Sequence, residues 1–288
     1  MTRRFRPSLR RPSRPRGWLL LAPAVLVLAG LTLWPVGRLV VSSLQQRSLT
    51  VPGDDAFVGV DVLVSVLSSG LWWRAVAWSV LLMALAVVLQ LLLAGLVAAT
   101  VRRVSVPAWI TVPLLVTPFA LLPVAGATVW SDAVTAGFGP AWFGYDGTSP
   151  RADAVAIVAH EVWRGTGVTA LILLAGLRRL SVAEHEAALV AGASAWQRLR
   201  SVTWPAVAPA VAVAVLWRSL DALRMFEAPL VAANGPGDGP TTAPLLVWGT
   251  AVRDYELGLA AATALVLLAL AAVLGAVLAL ATRRRPAW

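Results

Sequence analysis

SVAEHEAALVAGASAWQRLRSVTWPAVAPA, residues 181–210, interrupts a chain otherwise built from long runs of Leu, Val and Ala. Its punctuation is that of two short helices. Ser181 precedes Glu184 by three positions, the spacing of a capping box that satisfies the first backbone N–H groups of a helix. Gly192 then stands where such a helix should stop, since glycine enters the left-handed conformation that ends many helices. Ser194 and Gln197 repeat the capping spacing. Pro205 opens the next apolar run, at a helix start where its missing N–H costs nothing. The reading is a helix, a glycine turn and a second helix, held by short connections between two apolar segments. Trp196, Trp204, Arg198 and Arg200 would let the pair rest on lipid headgroups.

The flanking sequence fixes the setting. The 288 residues are 59% hydrophobic and 13% charged, where a soluble domain carries about 25% charged residues. No Cys is present, which excludes disulfide frameworks, thiolate metal sites and cysteine nucleophiles. The net charge of +10 would suit nucleic acid, but every basic residue is Arg, and the Arg residues cluster beside apolar runs. That placement encodes membrane topology, so no nucleic-acid partner is expected.

A helix needs about 20 mostly apolar residues to cross a bilayer. Six stretches qualify: 19–41, 75–101, 110–129, 155–177, 206–223 and 257–281. They predict an all-α, multi-pass protein of the cell (cytoplasmic or inner) membrane. A six-helix transmembrane domain covers 19–281, with a loop at 178–205 and tails at 1–18 and 282–288. The first stretch exceeds the apolar part of a cleavable signal and has no small-residue cleavage pattern, so it is expected to be retained. Pro113, Pro118 and Pro123 in the third are tolerable where neighbouring helices satisfy the freed backbone.

Arg placement orients the bundle. The two tails, Arg102 and Arg103, and the 178–205 loop together hold sixteen Arg and only two acids, Glu184 and Glu186. The opposite loops hold four Arg, at 47, 74, 151 and 253, against nine acids. Both termini and the 178–205 loop are therefore expected in the cytoplasm.

Within that loop, EAALVAGASAWQRLRSVTWP resembles the EAA loop of permeases of ATP-binding-cassette (ABC) importers. That pattern reads E-A-A, three residues, G, nine residues, an aliphatic, one residue, then L-P. Glu186, Ala187, Ala188, Gly192, Val202 and Pro205 fall in register, and Trp204 replaces the usual Leu. The segments RGWLLLAPAVLVLAGLTLWPVGRLVVSSL, HEVWRGTGVTALILLAGLRRL and MFEAPLVAANGPGDGPTTAP resemble carbohydrate-uptake permeases of the maltose and glycerol-phosphate type. LWRSLDALRMFEAPLVAANG and SGLWWRAVAWSV most resemble trehalose-uptake permeases. The resemblance implies a type I importer permease fold and a sugar as solute. It also implies a second permease in a heterodimer, two copies of a cytoplasmic ATPase and an extracytoplasmic sugar-binding lipoprotein. The 178–205 loop would be the coupling pair seated in a cleft of the ATPase. Glu186 would meet a basic residue there, Gly192 would make the turn, Ala187 and Ala188 would allow close approach, and Pro205 would start the following span. Permeases for a polyol, glycerol phosphate or an oligopeptide, and a stand-alone secondary transporter, are the alternatives.

The remaining chemistry is sparse. There is no G-x-x-x-x-G-K-[ST] loop and no Lys, so this chain is not expected to hydrolyse ATP in the P-loop manner, and the resemblance implies that the partner ATPase binds it. No metal-ligand set or nucleophile–base pair is assembled, so no enzyme activity and no cofactor are expected. His160 is read as a rim residue, and the glycines at 165, 167 and 176 as packing sites. Charges inside the spans are expensive and mark sites. Arg218, Asp221, Arg224 and Glu227 follow at three-residue spacing, and Glu161 and Arg164 reach a comparable depth on the antiparallel span. Trp163 and Trp217 adjoin them. These residues are expected to line a solute path, where carboxylates accept hydroxyl protons and Arg donates in pairs; the alternative is a salt-bridge lock between helices.

Overall fold

The computed structural model describes residues 15–50, 56–104, 106–135, 149–232 and 239–283. Most of the N-terminal tail and positions 284–288 of the C-terminal one lie outside these residues. Among the described residues, five helices are long and apolar enough to cross a membrane, and a bent helix pair adds a sixth segment.

In chain order the elements are α1 (Pro15–Ser43), a small hairpin of β1 (Gln45–Gln46) and β2 (Ala56–Phe57), α2 (Asp61–Ser68) and α3 (Gly70–Val104). Then come α4 (Ala108–Ala120), α5 (Pro123–Thr135), α6 (Pro150–Leu177), α7 (Val182–Val190) and α8 (Ala195–Arg198). A π-helical turn (Leu199–Thr203) leads into α9 (Trp204–Leu223), followed by α10 (Glu227–Ala232), α11 (Ala243–Val252) and α12 (Leu257–Arg283).

The centre is a three-helix bundle of α3, α6 and α9. α4 and α5 cover α6, while α12 packs on α9 and carries α1 on its outer side. Two apolar layers fill the centre. One holds Leu82, Val87, Ile157, Ala222 and Leu223. The other, nearer the 178–205 loop, holds Ala94, Ala98, Ala170, Leu173 and Ala214. Its many alanines follow from the setting, because helices in lipid associate by close backbone approach across small side chains. Gly167 shows the limit: a Cβ there would collide with the Leu115 main-chain oxygen of α4.

The third span departs from expectation. In place of one helix over 110–129, α4 and α5 meet at an angle of 82°. Pro113 and Pro118 stay inside α4, but Pro123 starts a new helix. Proline lacks the N–H that would extend α4 and pushes its predecessor towards extended backbone. α5 consequently lies across α6 beside His160 and Trp163.

A second departure lies at the other side of the loop. No short connection separates the second polar helix from span five. α8 runs through the π turn straight into α9, and the Trp204 N–H reaches back to the Leu199 carbonyl.

Candidate functional site

Two regions carry the sequence-predicted residues. The first is the 178–205 loop. The Ser181 hydroxyl accepts the Glu184 N–H at 3.4 Å and starts α7. α7 ends at Gly192, whose φ is +75°, and the Ala193 N–H donates to the Ala188 carbonyl at 3.0 Å. This is the glycine-dependent helix stop, strained for any other residue. Ser194 then caps α8 reciprocally: its hydroxyl accepts the Gln197 N–H at 3.3 Å, and Gln197 Oε1 accepts the Ser194 N–H at 2.7 Å. Glu186, Ala187, Gly192 and Pro205 are exposed and Ala188 is half-buried. The pair stands clear of the bundle, with Val190 90% and Trp196 68% exposed. Among the described residues, no side chain of α7 or α8 belongs to the two central apolar layers.

The second region is a polar layer between the two apolar ones, where α3, α6 and α9 meet. Arg218 Nε donates to Gln90 Oε1 at 2.8 Å. Arg218 Nη2 reaches Glu161 Oε2 at 3.2 Å, and Nη1 reaches Asp221 Oδ2. Arg164 Nη2 closes the ring, 3.2 Å from Glu161 Oε2 and 2.9 Å from Asp221 Oδ2. Gln90 Nε2 donates to the Glu161 main-chain oxygen. Two cations and two anions alternate, so the ring is electrically neutral. Its accessibility is uneven: side-chain exposure is 0% for Arg218, 3% for Glu161, 13% for Arg164 and 27% for Asp221.

Aromatic rings flank it. The Arg164 guanidinium lies 5.2 Å from the Phe119 centroid and that of Arg218 lies 5.3 Å from Trp217. The two rings touch each other at 5.6 Å. Such placement holds a guanidinium by its face while its edge makes hydrogen bonds.

The structure thus brings Glu161, Arg164, Trp217, Arg218 and Asp221 together. Arg224 does not join them. α9 ends at Leu223, so Arg224 is the exposed C-cap and Glu227 opens a separate helix. Trp163 is also placed elsewhere: its ring packs 6.5 Å from Trp130 of α5 and 6.4 Å from His160. His160, expected at the rim, is 1% exposed because the bent α5 covers it. Gln90 and Phe119 were not anticipated, and Gly165, expected as a packing site, borders the ring. Gln90 is the one amide in the apolar run 75–101, and that isolation was the available signal. Gly165 leaves room for the ring, since a Cβ there would sit 2.5 Å from Gln90 Nε2 and 2.6 Å from Arg218 Cζ.

Comparison with known proteins places this architecture. Residues 92–285 match the family described as binding-protein-dependent transport system inner membrane component. The chain belongs to that family. It is a multi-pass membrane protein and a permease subunit of an ABC importer. It is 30% identical over 275 residues to the trehalose transport system permease protein SugA of Mycobacterium tuberculosis (strain H37Rv), covering 93% of this chain and 89% of that one. Identity is 31% over 274 residues with the sulfoquinovosyl glycerol transport system permease protein SmoG of Agrobacterium fabrum (strain C58), covering 90% and 87%. Among solved structures, a bacterial ABC transporter that imports the acidic polysaccharide alginate has a chain of the same fold. The TM-score is 0.69 at 18% identity, with 93% of this chain and 96% of that chain covered.

Proposed function

We propose that this permease pairs with a sister permease to enclose a path for sugar uptake, with a disaccharide such as trehalose as the favoured solute. Two copies of a separate cytoplasmic ATPase bind and hydrolyse the ATP, and an extracytoplasmic binding lipoprotein delivers the solute. No catalytic step and no cofactor is assigned to this chain. The termini and the 178–205 loop face the cytoplasm, in keeping with sixteen Arg on that side against four on the other. Glu186, Ala187, Ala188, Gly192 and Pro205 belong to the coupling pair. Asp221, Arg164 and Trp217 edge the solute path, and Arg218 and Glu161 stand behind them as a lock between helices.

The observation that carries this reading is the exposed helix–glycine–helix tip, whose motif residues are left over by the chain's own fold. ATP binding would close the two ATPases and draw the coupling pairs together, turning the path outward. A docked binding protein favours the same state, so its effect and that of ATP are reciprocal. The test is a reconstituted importer carrying Glu186→Lys. Uptake should vanish and solute-stimulated ATP hydrolysis with it, while the protein stays in the membrane; normal uptake and stimulation would sink the coupling assignment. Orientation has its own test in this Cys-free chain. Ser68→Cys should react with an impermeant thiol reagent in intact cells and Ser194→Cys should not; the reverse pattern inverts the topology.

A further inference from the structure

The fold alone leaves the charge of the solute open, since a solved importer of the same fold carries an acidic polysaccharide. The ring speaks to that question. Its two guanidiniums are held to different degrees. Arg218 is fully enclosed, with Nε, Nη1 and Nη2 all bonded to Gln90, Asp221 and Glu161. Arg164 is held through Nη2, which is shared between two carboxylates; its Nε is buried without a hydrogen-bond partner, and Phe119 lies against its face. Neither presents the open two-pronged edge by which Arg grips a carboxylate or phosphate.

The most accessible member of the ring is a carboxylate. Asp221 is 27% exposed, about 25 Å along α9 from Trp204 at the helical rise. A charge at such depth is not tolerated against lipid, so this face of α9 meets water or protein. With Arg218 enclosed behind it and Arg164 beside it, Asp221 is the most exposed charge of the ring. The half-buried rings of Trp217 and Phe119 flank the two guanidiniums and leave part of their apolar surface accessible. Arg224 is a turn away at the end of the helix and outside the ring.

We propose that Asp221 sets solute charge: it accepts hydroxyl protons from an uncharged, hydroxyl-rich solute and repels anionic ones. This rests on the reading of the ring's open edge as part of the solute path.

The test uses the whole importer in nanodiscs, trapped with a non-hydrolysable ATP analogue and without the binding protein. Labelled trehalose and maltose are the probes, each displaced by the unlabelled sugar or by its 6-phosphate ester. The wild type should favour the neutral sugars. Asp221→Asn, which keeps the shape, should weaken neutral-sugar binding by about tenfold or more, the loss expected for a hydrogen bond to a charged group. It should also narrow the preference over the esters by about fivefold, the order of a screened like-charge contact. Asp221→Glu should keep the preference, and its loss in that variant would overturn the proposal. Weakened sugar binding with an unchanged preference in Asp221→Asn overturns charge selection but leaves the path. Unchanged binding of every probe, with a lower thermal midpoint for the complex, overturns both and leaves Asp221 as part of the lock. A wild type that binds no neutral disaccharide, or prefers the esters, overturns the proposal as well.

Discussion

The 178–205 loop and the charge ring sit on the same two helices, α6 and α9, yet they are specified in opposite ways. Every bond that shapes the loop closes within a few residues: Ser181 to Glu184, Ser194 to Gln197, Ala193 to Ala188. The bonds of the ring span 57 residues between Glu161 and Arg218 and 128 between Gln90 and Arg218. The loop also faces outward, with its motif side chains spare, while the ring consumes its own charges. A locally closed motif left exposed is one held for a partner. A long-range network buried to 0% at Arg218 is one held for the fold.

If that contrast is right, substitutions should separate stability from coupling. The largest effect is expected at Arg218. Arg218→Met takes from the buried Glu161 one of its two guanidinium partners, a defect of up to about 3–5 kcal/mol for a broken buried pair. The complex should fail to accumulate in the membrane, and adding Glu161→Gln should restore part of it. Quantitative immunoblots and thermal unfolding of the purified complex measure both. A fully stable Arg218→Met protein would break the comparison.

Next is Gly192→Val. A β-branched residue at φ +75° is strained by about 1–2 kcal/mol, all of it in a region without bundle packing. Protein level should be normal and uptake lost, which a transport assay beside an immunoblot would show. Gly167→Ala should have a smaller effect on uptake and a purely structural one. Its Cβ meets the Leu115 carbonyl, so α4 and α6 must separate at about 1–3 kcal/mol, lowering the thermal midpoint but not the ratio of uptake to ATP hydrolysed. Smallest is Ser194→Ala. Loss of this cap costs about 1 kcal/mol and should reduce uptake only partially, with no change in the thermal midpoint of the bundle.

The same contrast explains what could be read before the fold was known. Apolar length announced the spans, because bilayer thickness dictates it, and Gly192 and Ser194 announced the loop, because helix ends obey short-range rules. The depth of Glu161, Arg164, Arg218 and Asp221 followed from helical rise. What did not follow was the partner on α3. Gln90 is one polar residue in a long apolar run, and nothing local says which helix it faces. Arg224 was misplaced because spacing by threes continues past Leu223 although the helix does not. The bend at Pro123 escaped because two other prolines, Pro113 and Pro118, are accommodated in the same segment; only the packing of α5 on α6 distinguishes the third.

The π turn between α8 and α9 has a geometric consequence of its own. An α-helix advances about 100° per residue, and a π turn is such a helix holding one residue too many. The turn at Leu199–Thr203 therefore acts as an angular offset, setting the compass bearing of Trp196 and Arg198 relative to the face of α9 that bears Asp221. That bearing is set by a count of residues. Removing a single residue between positions 199 and 203 would leave Glu186, Ala187, Ala188 and Gly192 in place on the tip. It would swing the tip about 100° around the axis of the span, so the length of this segment is as much a part of the docking address as the residues it displays.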